Sequence, residues 1–190
     1  LNKNVKYHKH PKLKHKNGTD DDFVYSFKRL INPKLASPGG WVFDKVDSYR
    51  AINDTILEIK LKDPFNAFLG LLTMKYCSVV PKEVVEFYGN DFRSNPIGTG
   101  PFKFKRWEEN IKLVLRRNND YFQKDSNGNN LPYLEAIAIT FLQDKQSEFL
   151  QFIQENIDFV SGLDDSYKDE IINTKGELKN EYVDKITLLR

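Results

Sequence analysis

Hydrophobic residues recur along this chain with two different periods, one typical of helices and the other of strands. The clearest helical pattern runs from Asp20 to Ile31, where apolar positions are spaced three or four residues apart. Thr19 or Asp20 can cap its start, and Asn32 followed by Pro33 ends it. Further helices are predicted at residues 63–72, 82–88, 144–155 and 164–172.

Strict alternation of apolar and polar residues predicts several short strands. The best examples are Thr55–Leu61 and a hairpin whose strands, 102–107 and 111–115, flank the polar turn Glu108-Glu109-Asn110. Weaker patterns place strands at residues 5–7, 134–142, 157–160 and 186–189, while residues 46–51 are ambiguous. Because the helix at 144–155 lies between two strands, we expect a parallel crossover there. The mixture of elements predicts an α/β (mixed α+β) fold.

The stretch Asn95–Tyr121 organises the second half of the chain. It opens with a glycine-rich corner, Pro96–Pro101, that contains Gly98 and Gly100. Such glycines allow a left-handed backbone and a close approach of other atoms, and the prolines fix φ near about −65°. The corner does not match a phosphate-binding loop, because it lacks the final Gly-Lys-Ser/Thr and leads into a strand rather than a helix. We expect it to turn the chain sharply into the hairpin.

The composition predicts a folded protein without a nucleic-acid partner. Hydrophobic residues make up 39% of the chain and aromatic residues 13%, which is enough for a core. The 29 basic and 27 acidic side chains nearly balance, whereas a nucleic-acid surface needs segregated positive charge. Only Lys3–Lys16 is strongly basic, and it is interpreted either as a solvated strand and loop or as a contact for an anionic surface.

Two features of the sequence concern its cellular setting. No run of about 18 apolar residues occurs, as a membrane-spanning helix would require. The chain begins at Leu1 inside an ordered pattern and carries no signal peptide, so we expect it to be a piece of a longer protein.

Candidate chemistry is sparse. His8, His10 and His15 cluster near the start, and a His-x-His pair on a strand places both rings on one face, where a metal could bind. No cysteine or carboxylate at matching spacing supports such a site, so a solvated loop is the simpler interpretation. Cys77, the single cysteine, lies among apolar neighbours, which predicts a buried, unreactive thiol. We therefore predict no enzyme activity, no catalytic residue, no metal and no cofactor, with a His- or Cys-centred metal or enzyme site as the alternative.

Several segments together resemble the family 5 solute-binding proteins, the peptide-, dipeptide- and nickel-binding components of ABC importers. The strongest match is to a pattern of Asn-Pro-x-Gly-Thr-Gly-Pro-Phe, a short strand with an aromatic end, and Arg-Asn-x-x-Tyr. The matching residues are Asn95, Pro96, Gly98, Thr99, Gly100, Pro101, Phe102, Trp107, Arg117, Asn118 and Tyr121. Weaker matches lie at residues 5–8, 21–30, 49–61 and 158–159, and the loop between the first two is longer and more basic than is usual in the family.

The resemblance implies a particular architecture. The fold would be like that of type II periplasmic binding proteins, present only in part and without the second major lobe. Residues 1–19 would belong to the first lobe or its edge, residues 20–94 to an extra domain, and residues 95–190 to the first lobe. The corner Pro96–Pro101 would then be the point where the chain re-enters the sheet of the first lobe.

The resemblance also implies a function. The protein would be the substrate-binding component of a bacterial ABC importer, a monomer that binds oligopeptides or dipeptides in the periplasm or as a cell-surface lipoprotein. Its partners would be the peptide and the permease subunits. Trp41, beside the glycines of Ser37–Gly40, is the candidate for lining the ligand cleft, although a loop anchored to the core also explains this segment.

Other interpretations of the resemblance stay open. The chain fits a nickel-binding member of the family, and a peptide-chaperone or adhesion surface is a third possibility. In peptide-binding members the residues that pair with the charged ends of the peptide come largely from the lobe that is absent here. We therefore expect this chain alone to bind peptide weakly or not at all.

Overall fold

A computed structural model describes residues 1–13, 17–162 and 165–184. The chain divides into two compact units, the first formed by Leu1–Trp107 and Leu113–Ile139 and the second by Glu108–Lys112 and Thr140–Arg190. His15, the predicted helix start at Asp164 and the strand predicted at 186–189 lie outside the described residues. The predicted boundaries between residues 19 and 20 and between residues 94 and 95 separate the extra domain from the first lobe, as the family resemblance implies. They stay a prediction.

Short helices and strands follow one another along the chain. The α-helices are α1 (Asp20–Leu30), α2 (Phe68–Leu71), α3 (Lys82–Tyr88), α4 (Lys145–Ile153) and α5 (Lys168–Ile171). The strands are β1 (Val46–Asn53), β2 (Ile56–Leu61), β3 (Phe102–Glu108), β4 (Lys112–Arg117) and β5 (Ala136–Thr140). Short 3-10 helices occupy Pro33–Leu35, Gly40–Phe43, Lys75–Cys77, Gly89–Ser94, Asp165–Tyr167 and Asn180–Tyr182. This mixture confirms the α/β (mixed α+β) class, and none of the helices described here has the length and apolar character that crossing a bilayer requires.

Helix α1 forms where its pattern predicts and supports the core of the first unit. Thr19 stands at the N-cap, and its backbone N–H donates to the Asp22 carboxylate at 2.9 Å, which closes the first turn. Phe27 and Leu30 on the apolar face are buried. The ring of Phe27 lies 4.6 Å from that of Phe43. The buried cluster around this contact consists of Phe27, Leu30, Val42, Phe43, Val46, Phe68 and Cys77.

Strands β1 and β2 pair antiparallel and pack against α1. Along β2, partly buried residues alternate with exposed ones, so the strand predicted at Thr55–Leu61 is confirmed. The ambiguous residues 46–51 form its partner strand. They do so because Tyr49 packs edge-on against Phe27 and Phe43, with ring centroids 5.7 and 5.6 Å away.

Strands β3, β4 and β5 form an antiparallel sheet in that order. The Arg117 N–H donates to the Glu135 carbonyl at 2.9 Å and the Phe141 N–H to the Ile111 carbonyl at 3.0 Å, which sets β5 antiparallel to β4. The hairpin predicted around residues 108–110 is confirmed, and its turn places Asn110 at a φ of 58°.

The predicted parallel crossover is wrong. Residues 157–160 form no strand, and the strands within the described ranges make only antiparallel sheets. Phe159 is 66% exposed, so the short apolar run does not face a core that would hold it extended. A strand without a neighbour leaves its backbone polar groups unpaired, and four residues offer too few apolar contacts to offset that cost.

Three other elements are shorter than their patterns predict. Residues 5–7 contribute only an isolated bridge, between Lys6 and Asn17. The helix predicted at 63–72 is reduced to the four residues of α2, because Phe68 alone is buried in this stretch and Gly70 lowers the helix propensity. The strand predicted at 134–142 is reduced to β5.

The second unit has a small core of its own around Phe149. Asp144 caps α4 by accepting the Ser147 N–H at 2.8 Å, so the helix predicted from this cap is confirmed. Phe149 is 3% exposed and its ring stacks on that of Tyr167, with centroids 4.4 Å apart. Ile171 at the end of α5 completes the buried pair.

Candidate functional site

Two side chains that are distant in the sequence hold the corner Pro96–Pro101. His8 donates from Nε2 to the Gly100 carbonyl at 3.0 Å, and its backbone N–H donates to the Gly98 carbonyl at 2.9 Å. Asn118 donates from Nδ2 to the same Gly100 carbonyl, also at 3.0 Å. His8 is 7% exposed and Asn118 is 2% exposed. We call His8, Gly98, Gly100 and Asn118 the corner node. Its hydrogen bonds tie the corner to the N-terminal segment and to the end of β4.

His8 carries its proton on Nε2, because the carbonyl that it meets can only accept. Burial lowers the pKa of His8, the hydrogen bond to Gly100 opposes this shift, and the charge of Lys103 adds to it. The expectation that the histidines form a solvated loop is therefore wrong for His8. The sequence hides this burial because Lys6, Lys9 and His10 surround His8, and the one signal that could have marked it is the family match at residues 5–8, which ends on this residue.

Gly98 and Gly100 provide neither the left-handed backbone nor the close approach of other atoms that the sequence predicts. Neither residue has a φ in the left-handed region. A Cβ built on either one would meet no atom within 4 Å. The predicted left-handed backbone and close approach are therefore wrong at this corner. What the two glycines contribute is their carbonyls, which accept from His8 and Asn118.

A cavity of about 450 Å³ beside the corner has more basic than acidic residues in its lining, and we call it the basic cavity. The lining cations are Lys9, Lys103, Lys105, Arg116 and Arg117, and the lining acidic residue is Glu135; two histidines, His8 and His10, also line the cavity. Glu135 pairs with Arg117 at 2.8 Å, and Lys9 pairs with Asp120 at 3.4 Å. The cavity therefore favours anionic over cationic groups.

A second cavity, of about 510 Å³, is largely apolar, and we call it the apolar groove. Its apolar side chains include Ile97, Phe102, Phe104, Trp107, Leu113 and Leu115. It shares His8, Pro96, Ile97 and Phe104 with the basic cavity, so the two cavities are neighbours along the corner. The Arg93 guanidinium lies 4.5 Å from the ring centroid of Trp107, a cation–π contact. A groove of this kind suits apolar side chains.

The ring nitrogens of His10 have partners of their own. The Lys12 N–H donates to His10 Nδ1 at 3.2 Å, so Nε2 carries the proton and donates to the Tyr88 hydroxyl at 3.1 Å. His8, in contrast, is bound to Gly100, so the two rings do not converge on one point. Within the part of the chain that the structure describes, no group of three His, Cys, Asp or Glu side chains could hold a metal ion.

Cys77 lies in the core of the first unit, which confirms its predicted burial. It is 7% exposed, and its Sγ is 3.7 Å from the Leu71 carbonyl. Burial raises the pKa of the thiol. Because the nucleophile is the thiolate, this environment does not favour the Cys-centred alternative.

Trp41 lies on the 3-10 helix Gly40–Phe43 and is 49% exposed. The next two residues, Val42 and Phe43, are buried, so the segment is anchored to the core of the first unit. Trp41 lines neither the basic cavity nor the apolar groove. Its role in a ligand cleft stays a prediction.

Gly39, two residues before Trp41, has a packing role that the sequence does not reveal. A Cβ at this position would lie 2.2 Å from Cγ of Tyr76. The backbone therefore approaches the aromatic ring more closely than any side chain would allow. At Gly40 the nearest atom to such a Cβ is a backbone oxygen 3.7 Å away, an ordinary contact.

The polar turn predicted after β4 is an ordered loop built on Asp125, and we call it the Asp125 loop. The carboxylate accepts the Tyr133 hydroxyl at 2.6 Å, the Asn129 N–H at 2.8 Å and the Asn127 N–H at 2.9 Å. The phenol of Tyr133 and the amides of Asn129 and Asn127 together lower the pKa of Asp125 to about 2. Gly128 supplies the left-handed turn residue, with a φ of 84°.

The motifs that meet at the corner node belong to a recognised family. The sequence model of the bacterial extracellular solute-binding proteins, family 5 (middle), matches residues 1–188. The chain belongs to this family. The resemblance seen at Asn95–Tyr121 is thereby confirmed.

Individual family 5 proteins resemble most of this chain. It is 26% identical over 175 residues to the oligopeptide-binding protein AppA of Bacillus subtilis, a match that covers 88% of this chain and 30% of AppA. It is 32% identical over 123 residues to the periplasmic oligopeptide-binding protein OppA of Salmonella typhimurium, covering 55% and 23%. The Helicobacter pylori ABC transporter-associated periplasmic binding protein DppA, solved with the peptide STSA, shares the fold at a TM-score of 0.74 and 22% identity, over 90% of this chain and 36% of DppA. The predicted periplasmic-binding-protein fold is confirmed, and the chain spans no more than 36% of any of these three proteins.

Proposed function

We propose that this chain is part of the substrate-binding component of an ABC importer for oligopeptides or dipeptides. The family match over residues 1–188 carries the proposal. The relatives AppA and OppA, both named for oligopeptide binding, favour peptides as the ligand class. The protein would act outside the cytoplasmic membrane, in the periplasm or as a cell-surface lipoprotein, and as a monomer that delivers peptide to permease subunits.

In this proposal the protein binds and releases the peptide without changing it chemically. Two lobes close about a hinge and exclude water from the ligand. Residues 20–94 would form the extra domain and residues 95–190 part of the first lobe, with the corner node at the point of re-entry. Trp41 is the candidate contact, because 49% of its surface is exposed although its neighbours are fixed in the core.

Mass spectrometry of what co-purifies with the longer protein that contains this chain tests the proposal. We expect peptides, and calorimetric titration with these peptides should give affinities in the micromolar range or tighter. A tightly bound nickel ion and no peptide affinity would contradict the proposed ligand class.

A pair of variants of the longer protein tests the candidate contact. Trp41→Ala should weaken peptide binding at least about tenfold, as expected when an aromatic anchor is truncated. Phe65→Ala is the matched control, because Phe65 is an aromatic residue of the same unit that is 38% exposed and has no proposed role in the cleft. Equal affinities of the two variants would remove Trp41 from the cleft.

The chain alone provides a further test. It spans 30% of AppA, so most of the surface that closes on a peptide would come from the rest of the protein. Calorimetry on the 190-residue chain should therefore show weak or no peptide binding. Micromolar affinity for the isolated chain would contradict this division of the site between lobes.

A further inference from the structure

The basic cavity holds more positive charge than its acidic neighbours neutralise. Arg117 pairs with Glu135 and Lys9 pairs with Asp120. For the remaining lining cations, Lys103, Lys105 and Arg116, no salt bridge or hydrogen bond to another described side chain is present. These three residues lie on one ribbon, β3 and β4, around a cavity of about 450 Å³.

The pairing of β3 with β4 places two of these charges face to face. The Asn118 N–H donates to the Pro101 carbonyl at 2.8 Å, so these residues are opposite each other in the antiparallel pair. Two residues further along each strand, Lys103 lies opposite Arg116. Like charges in directly opposed positions destabilise a sheet. The chain therefore accepts a local electrostatic cost at this cavity.

The third cation adds to this positive field. Lys105 follows Lys103 by two residues, so the period of a strand directs both side chains to the same face of β3. The charge of Lys103 also reaches the buried His8, where it contributes to lowering the pKa of the imidazole. A concave surface with charge of one sign focuses the field and raises the local concentration of counter-ions.

We propose that the basic cavity binds a small oxyanion, the carboxylate or phosphate group of an acidic solute, through Lys103, Lys105 and Arg116. The planar guanidinium of Arg116 suits two parallel hydrogen bonds to such a group, and the two ammonium groups supply further charge. An anion between Lys103 and Arg116 converts their repulsion into two attractions. The site lies within the first unit and rests on neither the peptide cleft nor the importer role.

Titration of the full chain with inorganic phosphate and, separately, with succinate tests this proposal at low and constant ionic strength. Amide shifts measured by ¹⁵N NMR should saturate and should be largest at residues 103–105 and 116. Saturation by phosphate alone identifies a phosphate-bearing ligand, and saturation by succinate alone identifies a carboxylate-bearing one. The absence of saturable shifts with both anions would overturn the proposal.

Three variants separate a specific site from a general charge effect. Arg116→Gln should reduce the affinity for the bound anion at least about tenfold, in line with the loss of a charge-assisted pair of hydrogen bonds. Arg116→Lys keeps the charge and should recover part of the affinity. Lys112→Gln is the matched control, since it removes the same charge from an exposed residue of β4 outside the cavity, and it should leave the affinity unchanged.

Two outcomes of this series would overturn the site. One is an equal loss of affinity in Arg116→Gln and Lys112→Gln, which would mean that the anion responds only to net charge. The other is unchanged affinity in Arg116→Gln. Both glutamine variants alter exposed side chains, and thermal unfolding of each will confirm that the fold is kept.

Discussion

Replacing Asn118 by Ala tests whether the corner node stabilises the first unit. The Asn118 side chain donates to the Gly100 carbonyl at 3.0 Å and accepts the Asp120 N–H at 3.2 Å. Each of these hydrogen bonds contributes about 1 kcal/mol net to stability. Because Asn118 is 2% exposed, its truncation also leaves a small cavity that costs about 1 kcal/mol more. We expect the free energy of unfolding to fall by about 3 kcal/mol.

Urea denaturation followed by circular dichroism measures this change. The midpoint should fall while the slope stays the same, because the substitution does not change the surface exposed on unfolding. Asn119→Ala is the matched control, since Asn119 is the next residue, has the same side chain and is exposed. Its free energy of unfolding should stay within about 0.5 kcal/mol of the parent value, as is usual for surface substitutions.

Comparable losses of unfolding free energy in Asn118→Ala and Asn119→Ala would refute the reasoning. The burial and hydrogen bonds of Asn118 would then contribute no more to stability than an exposed side chain does. Asn118→Asp sharpens the test. A carboxylate can only accept, so it cannot donate to the Gly100 carbonyl and places a buried charge against it. This variant should be less stable than Asn118→Ala at neutral pH and should recover part of the difference as the carboxyl is protonated in acid.

Three further predictions concern single residues elsewhere in the chain. Gly39→Ala should destabilise the protein by about 1–3 kcal/mol in urea denaturation, since the new Cβ would lie 2.2 Å from Tyr76. Gly40→Ala should not show an overpacking loss, because its Cβ would make only an ordinary contact, 3.7 Å from a backbone oxygen. Burial lowers the pKa of His8, so the contribution of this imidazole to stability is complete above the unfolded pKa of about 6.5 and is lost as the pH falls through the lower folded pKa. The difference in unfolding free energy between the parent and His8→Gln should therefore shrink over that pH window. A difference that stays constant with pH would contradict this prediction. NMR titration of Asp125 should give a pKa of about 2, and an ordinary value near 3.8 would show that the hydrogen bonds of the Asp125 loop do not form in solution.

Local patterns predicted those elements whose sequence and packing agree. Helix α1 has both a capping residue, Thr19, and an apolar face that meets a core. Strand β2 shows the period of two because one of its faces is partly buried. The hairpin of β3 and β4 forms where its alternating sequence and its polar turn predict it. At these positions the local preference and the tertiary contacts select the same structure, so the local sequence pattern is sufficient to predict the element.

Prediction failed where the outcome depends on contacts distant in the sequence. Residues 157–160 have the apolar character of a strand, but no neighbouring strand is paired with them. His8 has polar neighbours in sequence, yet the residues that bury it, such as Gly98 and Gly100, are about 90 positions away, a separation across which local patterns carry no information. The basic cavity escaped prediction for the same reason, since its lining residues come from six separate stretches of the chain.

The corner node explains why the family could be identified from the sequence although its ligand could not. The matched segments at residues 5–8 and 95–121 meet at two carbonyls, those of Gly98 and Gly100, which accept hydrogen bonds from His8 and Asn118. Those bonds are internal to the protein, and they are needed whichever solute is bound. A motif maintained by such a node identifies the fold and leaves the ligand undetermined. Trp41 is 49% exposed and lies outside the corner node, so no bond of the node fixes its type, and its place in the solute site stays a proposal.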